Sequence, residues 1–436
     1  MLPIQTPDSL FHDGNPSTAT LGTPVTADWL NAVYAEIMAP AVAIGIPASS
    51  SNDNLWQALL QKYSKYALLT GANFIGSVSG PTPTAGDAST KLATTEFVSA
   101  RIGSAGSVNF RNRIINGNFD FWQRGTTSAP VTSSSYLADR FLAYVLGSTV
   151  TPSQQAFPPG QTEVPGEPTF FHRAVVASVA GANNFVTIQQ RIENVRTLAG
   201  KPVTLSFYAK ADSAKNIGVE LYQSFGSSGS AQASGLVKQQ VALTTAWKRF
   251  TVSGVLPTMS GKSISGGNDY LSVVLWLDAG VTSADRSSNI GQQSGTFDIA
   301  QVQLEEGSVA TPFEQRPAPV ELAMCQRYYE KSFRINVAPG VASIGDISTG
   351  SGAGVPALYF PGNSTRFAVT KRETPAKTVI NHVTGALGSI RSGSVDYPGT
   401  ALADGGPGSI FVQFSSAQNI PQTQVIYYGW TADAEL

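Results

Sequence analysis

The stretch Val203-Thr204-Leu205-Ser206-Phe207-Tyr208-Ala209-Lys210 decides the fold. Its odd positions are apolar and its even ones polar or amphipathic, the period of two of a strand with one face in a core. The same alternation returns at Ile217, Val219 and Leu221, and again at Leu271, Val273, Leu275 and Leu277. Working outward, strand-like runs cover residues 185–192, 247–252 and 297–304. In the last of these the apolar phase slips from Phe297 and Ile299 to Val302 and Leu304, which predicts a β-bulge near Ala300 and Gln301. Many short strands between turn clusters predict a β-sandwich over residues 110–317.

The whole chain of 436 residues is long enough for about three domains. With 13% charged residues, 42 Gly and 26 Pro, it reads as mainly β and not as a coiled coil. An N-terminal segment, 1–70, carries short helices. Trp29, Val33 and Ile37 recur at i, i+4 and i+8 after Thr26 as N-cap, with Pro40 as the expected stop. A second amphipathic piece runs through Leu55, Leu59, Leu60 and Tyr63. Two short helices bury little, so their apolar sides, Trp29, Val33 and Ile37 among them, are read as a docking face for other chains. Residues 71–109, rich in Gly, Ser, Thr and Pro, form a linker or shaft, with one helical piece over 89–101. After the sandwich comes a connecting helix within 318–334, on which Leu322, Cys325 and Tyr329 share a face. A C-terminal β tip, 335–436, completes the chain, with strands over 409–414 and 423–430 and exposed loops over 348–354 and 403–409.

A net charge of -1 supplies no field for nucleic acid, and the first hundred residues hold three lysines, no arginine and seven acids, a mildly acidic head. Cys325, the single cysteine, excludes an internal disulfide and suits synthesis in a bacterial cytoplasm; on its helix it is read as a buried or interface thiol. No secretory signal opens the chain, and residues 39–48, the longest apolar run, are broken by Pro40, Gly45 and Pro47 and too short to span a bilayer.

The search for chemistry returns little. His12, His172 and His382 are far apart without metal-ligand spacing, and read as unrelated surface or loop residues. No nucleophile elbow or phosphate loop occurs. Glu305 and Glu306 are adjacent, so on a strand they point to opposite faces, as at a solvated strand end. Glu220 with Asp278 stays open as a distant carboxylate pair. The expectation is no catalytic residue, no metal and no cofactor. The face opposite the core positions presents Tyr208, Lys210, Glu220, Tyr222 and Trp276, with Asp278 in the same phase. Aromatic planes with polar neighbours suit sugar recognition, and equally a protein interface.

Several segments, in order, resemble bacteriophage tail fibre proteins. They are Thr23-Pro-Val-Thr-Ala-Asp-Trp-Leu-Asn-Ala-Val33, then Pro81-Thr-Pro-Thr-Ala-Gly-Asp-Ala-Ser-Thr-Lys-Leu-Ala-Thr-Thr-Glu-Phe-Val98, similar to a tail-fibre repeat present once. Asn112-Arg-Ile-Ile-Asn-Gly-Asn-Phe-Asp-Phe-Trp-Gln-Arg-Gly125 follows with Tyr136-Leu-Ala-Asp-Arg-Phe141. Gln301-Val-Gln-Leu-Glu-Glu-Gly-Ser-Val-Ala-Thr-Pro-Phe-Glu314, Glu321-Leu-Ala-Met-Cys-Gln-Arg-Tyr-Tyr329 and Trp430-Thr-Ala-Asp-Ala-Glu-Leu436 close the set. The resemblance implies a homotrimeric virion protein. Its N-terminus would dock on other tail or baseplate proteins and its distal β-unit would meet a bacterial surface receptor, a polysaccharide for instance. A fibre-borne polysaccharide depolymerase and a purely structural connector are the alternatives. Residues 110–317 also resemble the galactose-binding-like jelly rolls of carbohydrate-binding modules. Those often hold a structural calcium, for which Asp120 matches one position while Ala300 and Gln301 replace an acidic pair, so no calcium is expected.

Overall fold

The computed structural model describes residues 10, 12–43, 77–84, 87, 89–98, 110–335, 337–340, 348–360, 364–397, 400–403, 406–414 and 417–436. The chain divides into two compact units, Met1–Pro81 and Thr82–Leu436, so the division falls inside the stretch read as a linker.

In the first unit, helix α1 spans Ala27–Ala43. Thr26 caps it: its Oγ1 accepts from Trp29 N at 3.2 Å and its carbonyl from Leu30 N at 3.1 Å. The helix continues through Pro40, contrary to the predicted stop, since a proline removes one donor without forbidding the next turn. Trp29 and Val33 are half-buried, while the side chain of Ile37 and all of Leu55, Leu59, Leu60 and Tyr63 lie outside the described residues. In the 89–101 piece only one helical turn, 95–98, is described, where Thr94 Oγ1 accepts from Phe97 N.

The sandwich is built from eleven strands among the described residues: β1 (Ser134–Tyr136), β2 (Leu142–Leu146), β3 (Thr149–Ala156), β4 (Phe170–Ala177), β5 (Phe185–Glu193), β6 (Pro202–Ala211), β7 (Lys215–Ser224), β8 (Ala233–Leu243), β9 (Lys248–Val255), β10 (Tyr270–Ala279) and β11 (Gly295–Glu306). They form two antiparallel sheets, ordered β1-β2-β5-β10-β7-β8 and β3-β4-β11-β6-β9. All eleven apolar positions of the alternation on β6, β7 and β10 lie in the one core between the sheets. The β11 bulge is where the apolar phase put it: the register to β6 shifts between Ala300 and Gln303, and Gln301 takes a φ of 49°. One extra residue returns Val302 and Leu304 to the core.

Helix α2 spans Ala318–Gln326 and stops short of Tyr329, which instead opens a strand, β12 (Tyr329–Lys331). Cys325 is buried on α2, and burial pushes its thiol well up, so it packs as a small hydrophobe. The C-terminal strands are β13 (Ser348–Ser351), β14 (Ser364–Arg366), β15 (Ala376–Ile380), β16 (Ile390–Ser392), β17 (Val395–Tyr397), β18 (Thr400–Ala403), β19 (Ser409–Phe414) and β20 (Val425–Asp433). Strand β20 is their spine, pairing with β12, β13, β15 and β16. Half of the loop expected over 348–354 is therefore strand β13, because its small residues fit beside β20.

The end of the chain turns back to the sandwich. Buried Arg140 and Arg124 both pair with the Glu435 carboxylate, and Arg124 also reaches Asp433 at 2.9 Å. The two guanidinium groups lie over rings from the connector, 3.4 Å from the Tyr328 centroid and 3.7 Å from that of Tyr329. A last strand that ends on the sandwich places the C-terminal residues at its surface, not at the far end of the tip.

Two histidines depart from the surface reading. His382 is mostly buried beside Tyr427. His172, on β4, is in the core, 5.5 Å from Trp122 and 5.3 Å from Phe119 by ring centroids, and burial holds its pKa at about 3. Two predictions follow from these buried charges. Because His172 titrates near 6.5 only when unfolded, its contribution to stability is full above that pH and is lost as pH falls toward 3. Asp139, pushed up to about 6 by burial, opposes part of this loss. Urea midpoints measured from pH 7 to 4 should therefore fall less steeply in His172→Phe than in the natural chain. Glu435→Ala, which leaves Arg140 buried beside a missing carboxylate, should cost about 3–5 kcal/mol. Hydrogen exchange of strand β20 should report it first.

Candidate functional site

The five residues read as one sugar-binding face stand on two. Strand β6 belongs to the five-stranded sheet and β7 and β10 to the six-stranded one. Tyr208 and Lys210 therefore lie on the outside of one layer, and Glu220, Tyr222 and Trp276 on the outside of the other. Alternation separates inside from outside, but which sheet a strand joins is set by long-range pairing. Tyr208 packs with Phe157, Phe171 and Trp247, and Lys210 sits 5.2 Å from the Trp247 ring centroid.

On the six-stranded sheet a groove of about 330 Å³ runs across β2, β5, β7 and β10. Tyr144 comes from β2, and Phe185, Thr187, Gln189 and Arg191 from alternate positions of β5. Tyr222 comes from β7, Tyr270, Val274 and Trp276 from β10, and Gln232, Ser283 and Arg286 from loops. Tyr270 and Phe185 were legible from the same alternation; Arg286 carried no periodic signal, since it lies in a loop.

Trp276 is no free stacking plane, being only 3% exposed. Its ring meets Phe185 at 5.7 Å, and its Nε1 donates to Glu220 Oε2 at 3.0 Å. Glu220 is fully buried, and its Oε1 accepts from Gly235 N at 2.7 Å and from Arg286 Nε at 2.8 Å. The Arg286 guanidinium lies 5.3 Å from the Trp276 centroid and 5.5 Å from that of Tyr222. Tyr222, whose hydroxyl stands 3.3 Å from that of Tyr270, is pushed up by burial and then by that neighbour. Tyr144, at 43% exposed, is the accessible ring and packs against Phe185.

The carboxylate pairs do not assemble a hydrolytic site. Glu220 faces Val274 in register, so Asp278 is four residues away, roughly 13 Å along the strand. A glycosidase pair stands about 5–9.5 Å apart. Asp278 is occupied by Ser148 Oγ, Ser178 Oγ and Gln293 N. Glu305 is buried rather than solvated, accepting from Thr311 N and Oγ1, whereas Glu306 pairs outward with Lys201. Asp120 accepts from Asn118 Nδ2, and Gln301 Nε2 donates to the Pro165 carbonyl.

No known family description matches the sequence, and no curated protein matches it. Solved structures do. One described as a family 4 carbohydrate-binding module structure is 18% identical, covering 44% of this chain and 97% of its own, with a TM-score of 0.26. The enzymatically active domain of tailspike protein 4 of bacteriophage CBA120 is 12% identical over 46% of this chain and 22% of its own, at a TM-score of 0.25. A cyclase from Fischerella sp. TAU is 14% identical over 44% of this chain and 96% of its own, at 0.29. All three scores are low, and the sandwich is established by its own strand pairing.

The burial pattern separates two kinds of aromatic. Trp276→Ala should cost about 3–5 kcal/mol in chemical denaturation, as a large core truncation does. Tyr144→Ala should stay within about 0.5 kcal/mol.

Proposed function

We propose that this chain is a glycan-binding attachment protein of the bacteriophage tail-fibre kind, recognising its ligand in the groove of the six-stranded sheet. The observation that carries the reading is the groove itself: a pocket of about 330 Å³ on the sheet, with the accessible ring of Tyr144 beside polar groups from three further strands. Such a mixture lets C–H faces of a sugar pack on a ring while its hydroxyls take hydrogen bonds. The ordered fibre-like segments support placement in a virion, with α1 and its Trp29 and Val33 as the docking part and three copies acting together for avidity. The groove replaces the C-terminal tip as the proposed point of receptor contact, because Phe360, Tyr428 and Trp430 of the tip are core residues. Binding without bond cleavage is part of the proposal.

The test is retention of surface polysaccharide extracted from candidate bacterial hosts on the purified full chain, followed by chain-length analysis. Retention without shortening is expected, and Tyr144→Ala should weaken it about tenfold, equivalent to ~1.4 kcal/mol. Retention indifferent to Tyr144→Ala would move the site elsewhere, and shortened chains would make the protein a depolymerase.

A further inference from the structure

The groove's polar groups are unequally matched, and the mismatch narrows the ligand. The carboxylate behind its lining, Glu220, is fully buried and sealed: Oε1 takes Gly235 N and Arg286 Nε, and Oε2 takes Trp276 Nε1. Gln189 is likewise occupied, its Oε1 by the Tyr222 hydroxyl and its Nε2 by Thr187 Oγ1. The neighbouring acids are also paired, Glu193 with Arg327 and Asp285 with Lys238. Donors remain. Arg286 gives only its Nε to Glu220, leaves both Nη groups without a protein acceptor, and keeps 36% of its side chain exposed. Its guanidinium lies over the Tyr222 and Trp276 rings, and its Nε is anchored on Glu220. Arg191, 4.9 Å from the Tyr270 ring centroid, lines the same groove.

Neutral sugars offer hydroxyls that both donate and accept, and uncharged hydroxyl and amide groups suffice to bind them. A pre-positioned guanidinium fork beside a sealed acid instead matches a planar, acceptor-only group. We infer that the groove selects an acidic glycan, with the Nη edge of Arg286 receiving a carboxylate or sulfate of the sugar. This rests on the glycan-binding reading above and names its substrate class.

The experiment compares polygalacturonate, hyaluronan and chondroitin sulfate with their carboxyl-reduced or desulfated forms, using the full chain and calorimetry or retention as readout. At least one acidic chain should bind about tenfold or more tightly than its neutralised form, and its affinity should fall as salt rises from 50 to 500 mM, as expected on the order of a Debye-screened contact. Arg286→Lys, which keeps the charge and loses the fork, should weaken the acidic chain about tenfold and the neutral form by clearly less. Since a lone Arg286 substitution leaves Glu220 buried with fewer partners, the double variant Glu220→Gln/Arg286→Gln provides a charge-matched control, with the same selective loss expected. Equal binding of acidic and neutralised chains would overturn the acid preference while leaving a glycan site. No binding of any chain, acidic or neutral, would overturn both.

Discussion

Glu435 brings a negative charge into a nearly dry place, and Arg124 and Arg140 meet it there. A buried carboxylate with no partner would be far too costly to keep, so the last residues have to close on these guanidinium groups for the native arrangement to exist. Both cations are pinned by more than charge: each lies on a tyrosine ring of the connector, and Arg140 also donates to the Arg191 carbonyl on β5. The cluster thereby ties three distant pieces of sequence together, the entry to the sandwich, the segment after α2, and the end of β20.

Of the segments singled out in the sequence, those from Asn112 onward meet around this cluster. Asn112 N donates to Glu314, Asn116 N to Glu321, and Arg316 bridges Glu314 and Glu321. Gln123 is buried, and its side chain donates to Asp139 and to the Tyr329 carbonyl. Lys331 donates to the Gln123 carbonyl from the other side. These motifs are thus structural in their contacts. They seal the segment that enters the sandwich, 112–117, against its closing strand β11 and both against the C-terminal sheets, while the groove is lined by residues outside them.

The same closure reaches the groove. Arg191 donates from Nη1 to the Leu436 carbonyl, and Tyr136 donates its hydroxyl to the same oxygen. One wall of the candidate site is therefore braced by Leu436, three residues past the end of β20, so packing of the tip and shape of the groove are coupled through an arginine.

Much of the fold was legible in the chain alone. Alternation at Val203, Leu205 and Phe207 marked the inward face, and the phase slip in 297–304 located a bulge, because side-chain direction in a strand is a local property of the backbone. The Thr26 cap was readable for the same reason. What alternation could not carry is partnership. It put Tyr208 and Glu220 on one surface, whereas β6 and β7 join different sheets. It presented Trp276 as a ring for ligands, whereas Phe185, Glu220 and Arg286 cover it. It left His172 at the surface, whereas Trp122 and Phe119 enclose it. Each of these was decided by residues scores of positions away, since sheet order, burial of a polar group and the closing of a loop over a strand are set by long-range contacts that no local pattern encodes.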